Sequence, residues 1–304
     1  MAQECKKHLP ETVAWKAFCG CKMRGISPII SSIFEITIFE KPKLKRRGDR
    51  MQTGVRLNYK DNIATITLVP PNERKPPTLD FTVIDYLEEV IEEIREKIDT
   101  VAVVLRSTSA KYFCAGGNLE ELGRIDEKSI GSWIIRGHEV FNLLENIPAP
   151  VIAVINGYAL GGGLELALSA DIMYVCETAR LGQTEPKVGF VSGWGGSYRL
   201  SRRIGVSRAK ELFFTAKILS AEEAYSIGIA EFVGPPDAVE ERLASTLESI
   251  RGNSSEAVRE MKRILNCCYN QPPAAVAREE AASSLKLLRE TDTLERVKSF
   301  LRDR

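Results

Sequence analysis

Pro150-Val151-Ile152-Ala153-Val154-Ile155-Asn156-Gly157-Tyr158-Ala159-Leu160-Gly161-Gly162-Gly163-Leu164-Glu165-Leu166-Ala167 decides how this chain of 304 residues folds. The five residues from Val151 to Ile155 are all apolar, the pattern of a strand buried on both faces. Asn156-Gly157 turns the chain. Gly161-Gly162-Gly163 then opens an apolar helix that carries Glu165 in its first turn. Glycines at such a place let the backbone approach a ligand. The N–H groups of a helix N-terminus are unpaired and partly positive.

The flanking segments repeat this alternation of strand and helix. Residues 54–59 alternate apolar and polar side chains, Asp61-Asn62 is a turn, and residues 63–68 read as the hairpin partner. Residues 70–78 are Pro-rich and loop-like. Val83, Ile84, Leu87, Val90, Ile91 and Ile94 follow helical spacing across residues 80–97. Residues 101–105 form a second buried strand, 131–146 a helix and 171–176 a third strand. From Ser207 onward the pattern predicts almost only helix, broken at Pro235-Pro236 and Pro272-Pro273. The chain has no internal repeat and no low-complexity tract. Strands alternating with helices indicate a layered α/β fold with short crossovers.

Composition narrows the chemistry. Lys+Arg number 42 and Asp+Glu 41, and 44% of the chain is hydrophobic, enough for a full core. This is neither a strongly basic nucleic-acid binder nor a disordered chain. There are only two histidines, His8 and His138, so metal sites built on several histidines are excluded and acid–base work falls chiefly on carboxylates. Charge is uneven. Residues 1–50 hold 11 Lys+Arg against 5 Asp+Glu, a balance of +6 that leaves −5 on the rest. That stretch reads as a flexible basic arm, for targeting or polyanion contact, or as an upstream extension with Met51 as the start. The second reading, or an arm without function, is preferred. The seven cysteines are odd in number and irregular in spacing, as expected of reduced thiols in a cytoplasmic protein. No stretch approaches the roughly 18 apolar residues of a membrane helix.

A second glycine turn, Phe113-Cys114-Ala115-Gly116-Gly117-Asn118-Leu119, follows the strand at 101–105. Two such turns from adjacent strands can hold one developing oxyanion between two backbone donors. A dinucleotide site is the rival, but Gly161-Gly162-Gly163 lacks the G-x-G-x-x-G spacing. Tight turns for close packing are the plain alternative. Glu165, and Glu185 in Gly182-Gln183-Thr184-Glu185-Pro186, can both reach the space before such a site. Two glutamates in different environments can divide the roles of acid and base. Read without a family, Glu165 is equally a charge complementing the helix dipole, and Glu185 an exposed loop residue.

These stretches, with Gly195-Gly196-Ser197-Tyr198-Arg199-Leu200 and residues 291–301, resemble the crotonase superfamily, the enoyl-CoA hydratase/isomerase group, over about residues 54–302. The resemblance implies a spiral of ββα units with a C-terminal helical oligomerisation region. It divides the chain into a basic extension (1–50), a crotonase-like core (51–245) and a helical trimerisation region (246–304). The implied activity is that of a lyase, an enoyl-CoA hydratase of the kind used in fatty acid metabolism, working as a homotrimer or a hexamer of paired trimers. The implied substrate is an acyl-CoA thioester, so coenzyme A arrives with the substrate and neither a separate cofactor nor a metal is expected. Carried over by position, the Gly117 and Gly162 N–H groups grip the thioester carbonyl. Glu165 is the base for water and Glu185 the proton donor. Ala115, Asn118, Leu119 and Gly161 line the CoA path.

The chain departs from the usual pattern at Lys75-Pro76-Pro77-Thr78-Leu79, at Thr184, and at Ser192-Gly193-Trp194-Gly195-Gly196, where Pro-Gly and a small residue are usual. Trp194 either narrows the acyl pocket or packs outward. A histidine on the helix that holds His138 works beside the thioester in some branches; a polar residue at a helix surface is the preferred reading. The aspartate nucleophile of dehalogenase-like relatives is missing, since no Asp lies between Glu185 and Leu200. Other reactions of the superfamily (isomerisation, decarboxylation, thioester hydrolysis) stay open. RNA binding, known in some relatives, is disfavoured because residues 85–97 carry six acidic side chains against Arg95 and Lys97. No nucleic-acid or membrane partner is expected.

Overall fold

The computed structural model describes residues 54–302. The basic arm at 1–50, with His8 and three of the cysteines, lies outside the described residues.

The hairpin opens the fold as its alternation predicts: β1 (Val55–Lys60) pairs antiparallel with β2 (Ile63–Leu68) around Asp61 and Asn62, both at positive φ. Helix α1 (Phe81–Glu96) starts at Asp80, whose side chain accepts from the Val83 N–H, and buries Val83, Ile84, Leu87, Ile91 and Ile94. Then follow β3 (Ala102–Ser107), β4 (Tyr112–Cys114), α2 (Leu119–Leu122), α3 (Ile130–Glu145), β5 (Val151–Ile155), β6 (Tyr158–Leu160), α4 (Gly162–Leu168), β7 (Ile172–Cys176) and β8 (Arg180–Gly182). A 3-10 turn at Glu185–Val188 leads to α5 (Gly196–Ile204), α6 (Val206–Thr215), β9 (Ile218–Ser220), α7 (Ala221–Ser226) and β10 (Phe232–Gly234). The chain ends in α8 (Pro236–Gly252), α9 (Ser255–Cys267), α10 (Pro273–Glu290) and α11 (Thr293–Arg302).

Two sheets result. The larger has the order β1-β2-β3-β5-β7-β10 and is parallel beyond β2; the smaller runs β4-β6-β8-β9. Each unit sends one strand to each sheet and then a helix: β3, β4 and α2–α3; β5, β6 and α4; β7, β8 and α5. The apolar run of β5 divides by parity. Val151, Ala153 and Ile155 enter the main core, while Ile152 and Val154 join Val239 and Leu243 of α8 on the other face.

Two sequence expectations need correction. The region after Ser207 is not almost all helical: β9 pairs antiparallel with β8, and β10 pairs parallel with β7. The turn after β5 likewise holds a strand, β6, before the helix. Three-residue strands are too short to display a period of two, and their pairing partners are distant in sequence. Residue 245 falls within α8, whose Val239 and Leu243 pack on the sheet, so the helical region begins before it. A buried pair docks α9: Lys262 Nζ donates to Asp171 Oδ2 at 2.7 Å and to the Ala149 carbonyl at 2.9 Å. Among the described residues no helix is long and apolar enough to cross a membrane.

Candidate active site

The first glycine turn is fixed by the Pro-rich loop. Ala115 N–H donates to the Pro77 carbonyl, Leu79 N–H to Gly116, and Asn118 N–H to Leu79. Leu79 is fully buried in consequence. The second turn comes from β6, the neighbour of β4. The two meet backbone to backbone. A Cβ on Gly116 would lie 2.6 Å from the Leu160 carbonyl oxygen, and one on Gly162 would lie 3.5 Å from the Gly117 nitrogen. Gly161 has φ +52°, which turns the chain into α4. Neither the Gly117 N–H nor the Gly162 N–H donates to an acceptor among the described residues. Two free amides side by side at a helix N-terminus form an anion cradle.

Glu165 is buried in the first turn of α4. Its Oε1 accepts three hydrogen bonds, from Ser192 Oγ at 2.6 Å, Trp194 N–H at 2.8 Å and Gly196 N–H at 2.8 Å. An oxygen so supplied is a carboxylate oxygen. Gly196 must be glycine here, because a Cβ would meet Ser192 Oγ at 2.6 Å and Glu165 Cγ at 2.9 Å. Glu185 stands at the start of the 3-10 turn beyond β8, close enough to Glu165 to feel its charge. Burial, and then the charge of Glu165, push its carboxyl up to about 8. With its amide nitrogen toward the carboxyl, Gln183 donates to both Glu185 oxygens, at 2.9 and 3.1 Å. Burial and the neighbouring Glu165 charge thus favour the protonated form of Glu185.

Trp194 packs inward. Its ring is buried, 4.9 Å from the Trp133 ring and 5.6 Å from Phe141, and Nε1 donates to the Trp133 carbonyl. A Cβ on Gly162 would lie 2.5 Å from Trp194 Cζ3, and one on Gly137 of α3 would lie 2.3 Å from Trp194 Cδ1. The indole thus fills a notch cut by Gly137 and covers the back of the amide cradle. Arg199 anchors the loop from behind, donating to the Trp194 carbonyl, Asn142 Oδ1 and Glu145 Oε2.

The remaining sequence candidates are more scattered. Ala115 is half-buried beside Gly116. Asn118 caps α2, its Oδ1 accepting from Glu120 and Glu121 N–H groups, so that oxygen is already engaged. Leu119 is 66% exposed at the mouth of the turn. His138 stacks on Tyr198 at 6.0 Å between ring centres, and burial and the Arg199 charge lower its basicity. Its described partners are these two residues and neither glutamate. Sequence reasoning missed Ser192 and Gln183 as ligands of the glutamates. They had no signal beyond lying in the loops that flank Glu185.

A family model described as enoyl-CoA hydratase/isomerase matches residues 58–304. The chain belongs to that family. Within it, the short-chain-enoyl-CoA hydratase of Clostridium acetobutylicum is 35% identical over 216 residues, 70% of this chain and 81% of that protein. Human mitochondrial methylglutaconyl-CoA hydratase is 36% identical over 156 residues, 51% of this chain and 46% of that protein, so the match spans about half of that relative. Among solved structures, the enoyl-CoA hydratase of Bacillus anthracis superposes with a TM-score of 0.77 at 33% identity, covering 83% of this chain and 97% of that one. A second, from Geobacillus kaustophilus, gives 0.80 at 26% identity, covering 84% and 96%. The crotonase fold of paired sheets is thus shown, and the glycine cradle and the glutamate pair sit at its centre.

Proposed function

We propose that the chain is a hydro-lyase that adds water across the double bond of a 2-enoyl-CoA thioester. The observation that carries this is the unequal glutamate pair beside two unpaired amides. The Gly117 and Gly162 N–H groups receive the thioester oxygen and stabilise the enolate-like charge that forms on it; such donors contribute on the order of 3 kcal/mol each. Ionised Glu165 removes a proton from water as its oxygen bonds to C3. Protonated Glu185 delivers its proton to C2. The proton taken up by Glu165 then passes to neighbouring Glu185, and the pair is reset for the next turnover. Coenzyme A enters as part of the substrate, past Ala115, Asn118 and Leu119, and no separate cofactor takes part. The setting is cytoplasmic, which suits the free thiols of Cys114, Cys176, Cys267 and Cys268. The C-terminal helices expose Leu265, Leu294, Val297 and Leu301, the kind of face that assembles trimers.

The test is turnover of crotonyl-CoA in ¹⁸O-water with product analysis. Label at C3 of a 3-hydroxyacyl-CoA supports hydration. Conversion of a 3-enoyl-CoA to the 2-enoyl isomer without label uptake assigns double-bond migration instead.

A further inference from the structure

We infer that Ser192 is a positioning residue that decides which of the two site carboxyls holds the shared proton. The inference rests on the hydratase reading of the site. The loop between the 3-10 turn and α5 delivers three donors to one oxygen of Glu165, and only two of them are backbone N–H groups, from Trp194 and Gly196. The third is the Ser192 hydroxyl at 2.6 Å, the length of a charge-assisted O–H to carboxylate bond.

The surroundings explain why a side-chain donor matters. Two carboxyls in contact within one buried site cannot both ionise, and one proton is held between them. What each oxygen accepts decides its location. On the Glu165 side stand the Ser192 hydroxyl and the two loop amides, and no cation contacts the carboxylate among the described residues. On the Glu185 side stands Gln183, a neutral donor to both oxygens. Arg199, packed behind the loop, spends its guanidinium on the Trp194 carbonyl, Asn142 and Glu145. The balance is thus three donors on one oxygen of Glu165 against the Gln183 amide and a backbone N–H on Glu185. Removing the hydroxyl levels the two sides, and the tautomer with the proton on Glu165 gains population. That tautomer exchanges the roles of base and acid, against the assignment of Glu165 to water and Glu185 to C2. The same hydroxyl is wedged under Gly196, whose missing Cβ makes room for it. Ser192 therefore cannot turn away without leaving a polar gap at the carboxylate.

The experiment compares the whole chain with Ser192→Ala and Ser192→Thr. For Ser192→Ala, kcat for crotonyl-CoA falls about 10-fold to 100-fold, the worth of one hydrogen bond to a charged group, while KM stays within about two-fold. Ser192→Thr keeps the hydroxyl and keeps most of kcat. Infrared difference spectra read the protonated carboxyl directly, without substrate. In the wild type its carbonyl band is abolished by Glu185→Gln and survives Glu165→Gln. In Ser192→Ala a second band grows that only Glu165→Gln removes. An unchanged band pattern with unchanged kcat in Ser192→Ala overturns the inference. A drop in kcat matched by a rise in KM, with the band pattern unchanged, also overturns it and assigns Ser192 to loop packing. A wild type without hydration of crotonyl-CoA counts against the proposed function, and the infrared experiment then still judges the role of Ser192.

Discussion

Replacing Glu185 by Gln separates activity from stability in a way that only a buried, protonated acid predicts. A carboxyl ordinarily near 4.5 is held at about 8 in the folded chain. Between those values the folded chain keeps a proton that the unfolded chain releases. Stability is therefore full below about pH 4.5, is lost progressively as pH rises to about 8, and is level above. At about 1.4 kcal/mol per tenfold, the whole window amounts to about 5 kcal/mol as an upper bound. The carboxyl keeps partial solvent contact and shares its proton, so the realised figure is about 2–4 kcal/mol. Gln is neutral at every pH, and its amide can donate to Glu165 while accepting from Gln183. Glu185→Gln is then expected to match the wild type at pH 4.5 and to exceed it by about 2–4 kcal/mol at pH 8.5. That is on the order of 5–12 °C in melting temperature for a domain of this size. Hydration of crotonyl-CoA falls by orders of magnitude while binding of the CoA ester survives. Thermal melts at both pH values, paired with kinetics, decide the matter. Near-normal turnover sinks the acid role of Glu185. A stability gain equal at both pH values, or a loss at pH 8.5, refutes the argument from burial and Glu165 charge.

The site and the fold yield further expectations. Because Glu185 must be protonated, kcat/KM of the wild type declines about tenfold per pH unit above about pH 8, as a pH–rate profile would show. Trp194→Ala empties the space between Gly137 and Gly162, costs about 3–5 kcal/mol in urea unfolding, and raises the kcat/KM ratio of long-chain over short-chain enoyl-CoA; an unchanged ratio means the indole does not bound the acyl pocket. Gly162→Ala drives a methyl into the Trp194 ring and abolishes hydration in kinetic assays, with partial recovery in the Gly162→Ala/Trp194→Ala double variant. Lys262→Met leaves Asp171 buried without its cation. It is expected to destabilise the chain by about 3–5 kcal/mol at pH 7 in chemical denaturation, whereas Asp171→Asn/Lys262→Met recovers part of the loss.

How far each feature was legible depended on whether its cause lies nearby in the chain. The hairpin at 55–68, helix α1 and strand β5 announce themselves through periodicity, since the alternation that places them spans only neighbouring residues. The smaller sheet does not, because its strands are three residues long and are defined by partners such as Leu160 and Gly182, 22 positions apart. The Lys262–Asp171 pair is hidden for the same reason, its members standing 91 positions apart. The site shows both regimes at once. Two glutamates and two glycine turns are visible in the chain and suggest acid–base work at an oxyanion. The side chains that hold the two carboxyls in place are not visible, because Ser192 lies 27 residues beyond Glu165.

Gly161-Gly162-Gly163 makes the same point within three adjacent residues. Gly161 is glycine for its own backbone, at φ +52°. Gly162 is glycine because an indole from residue 194 covers it, and Gly163 because a Cβ would sit 2.3 Å from the Cys114 carbonyl oxygen of the other turn. Only the first reason is local, yet all three are needed for the Gly117 and Gly162 amides to stand together. A loop that donates to Glu165 with its amides while its tryptophan closes the cradle binds acid–base chemistry and oxyanion geometry into one unit. Substitutions at residues 192–196 should accordingly disturb proton placement and carbonyl polarisation together, whereas changes at Asn118 or Leu119, which touch neither carboxyl, should act on ester binding alone.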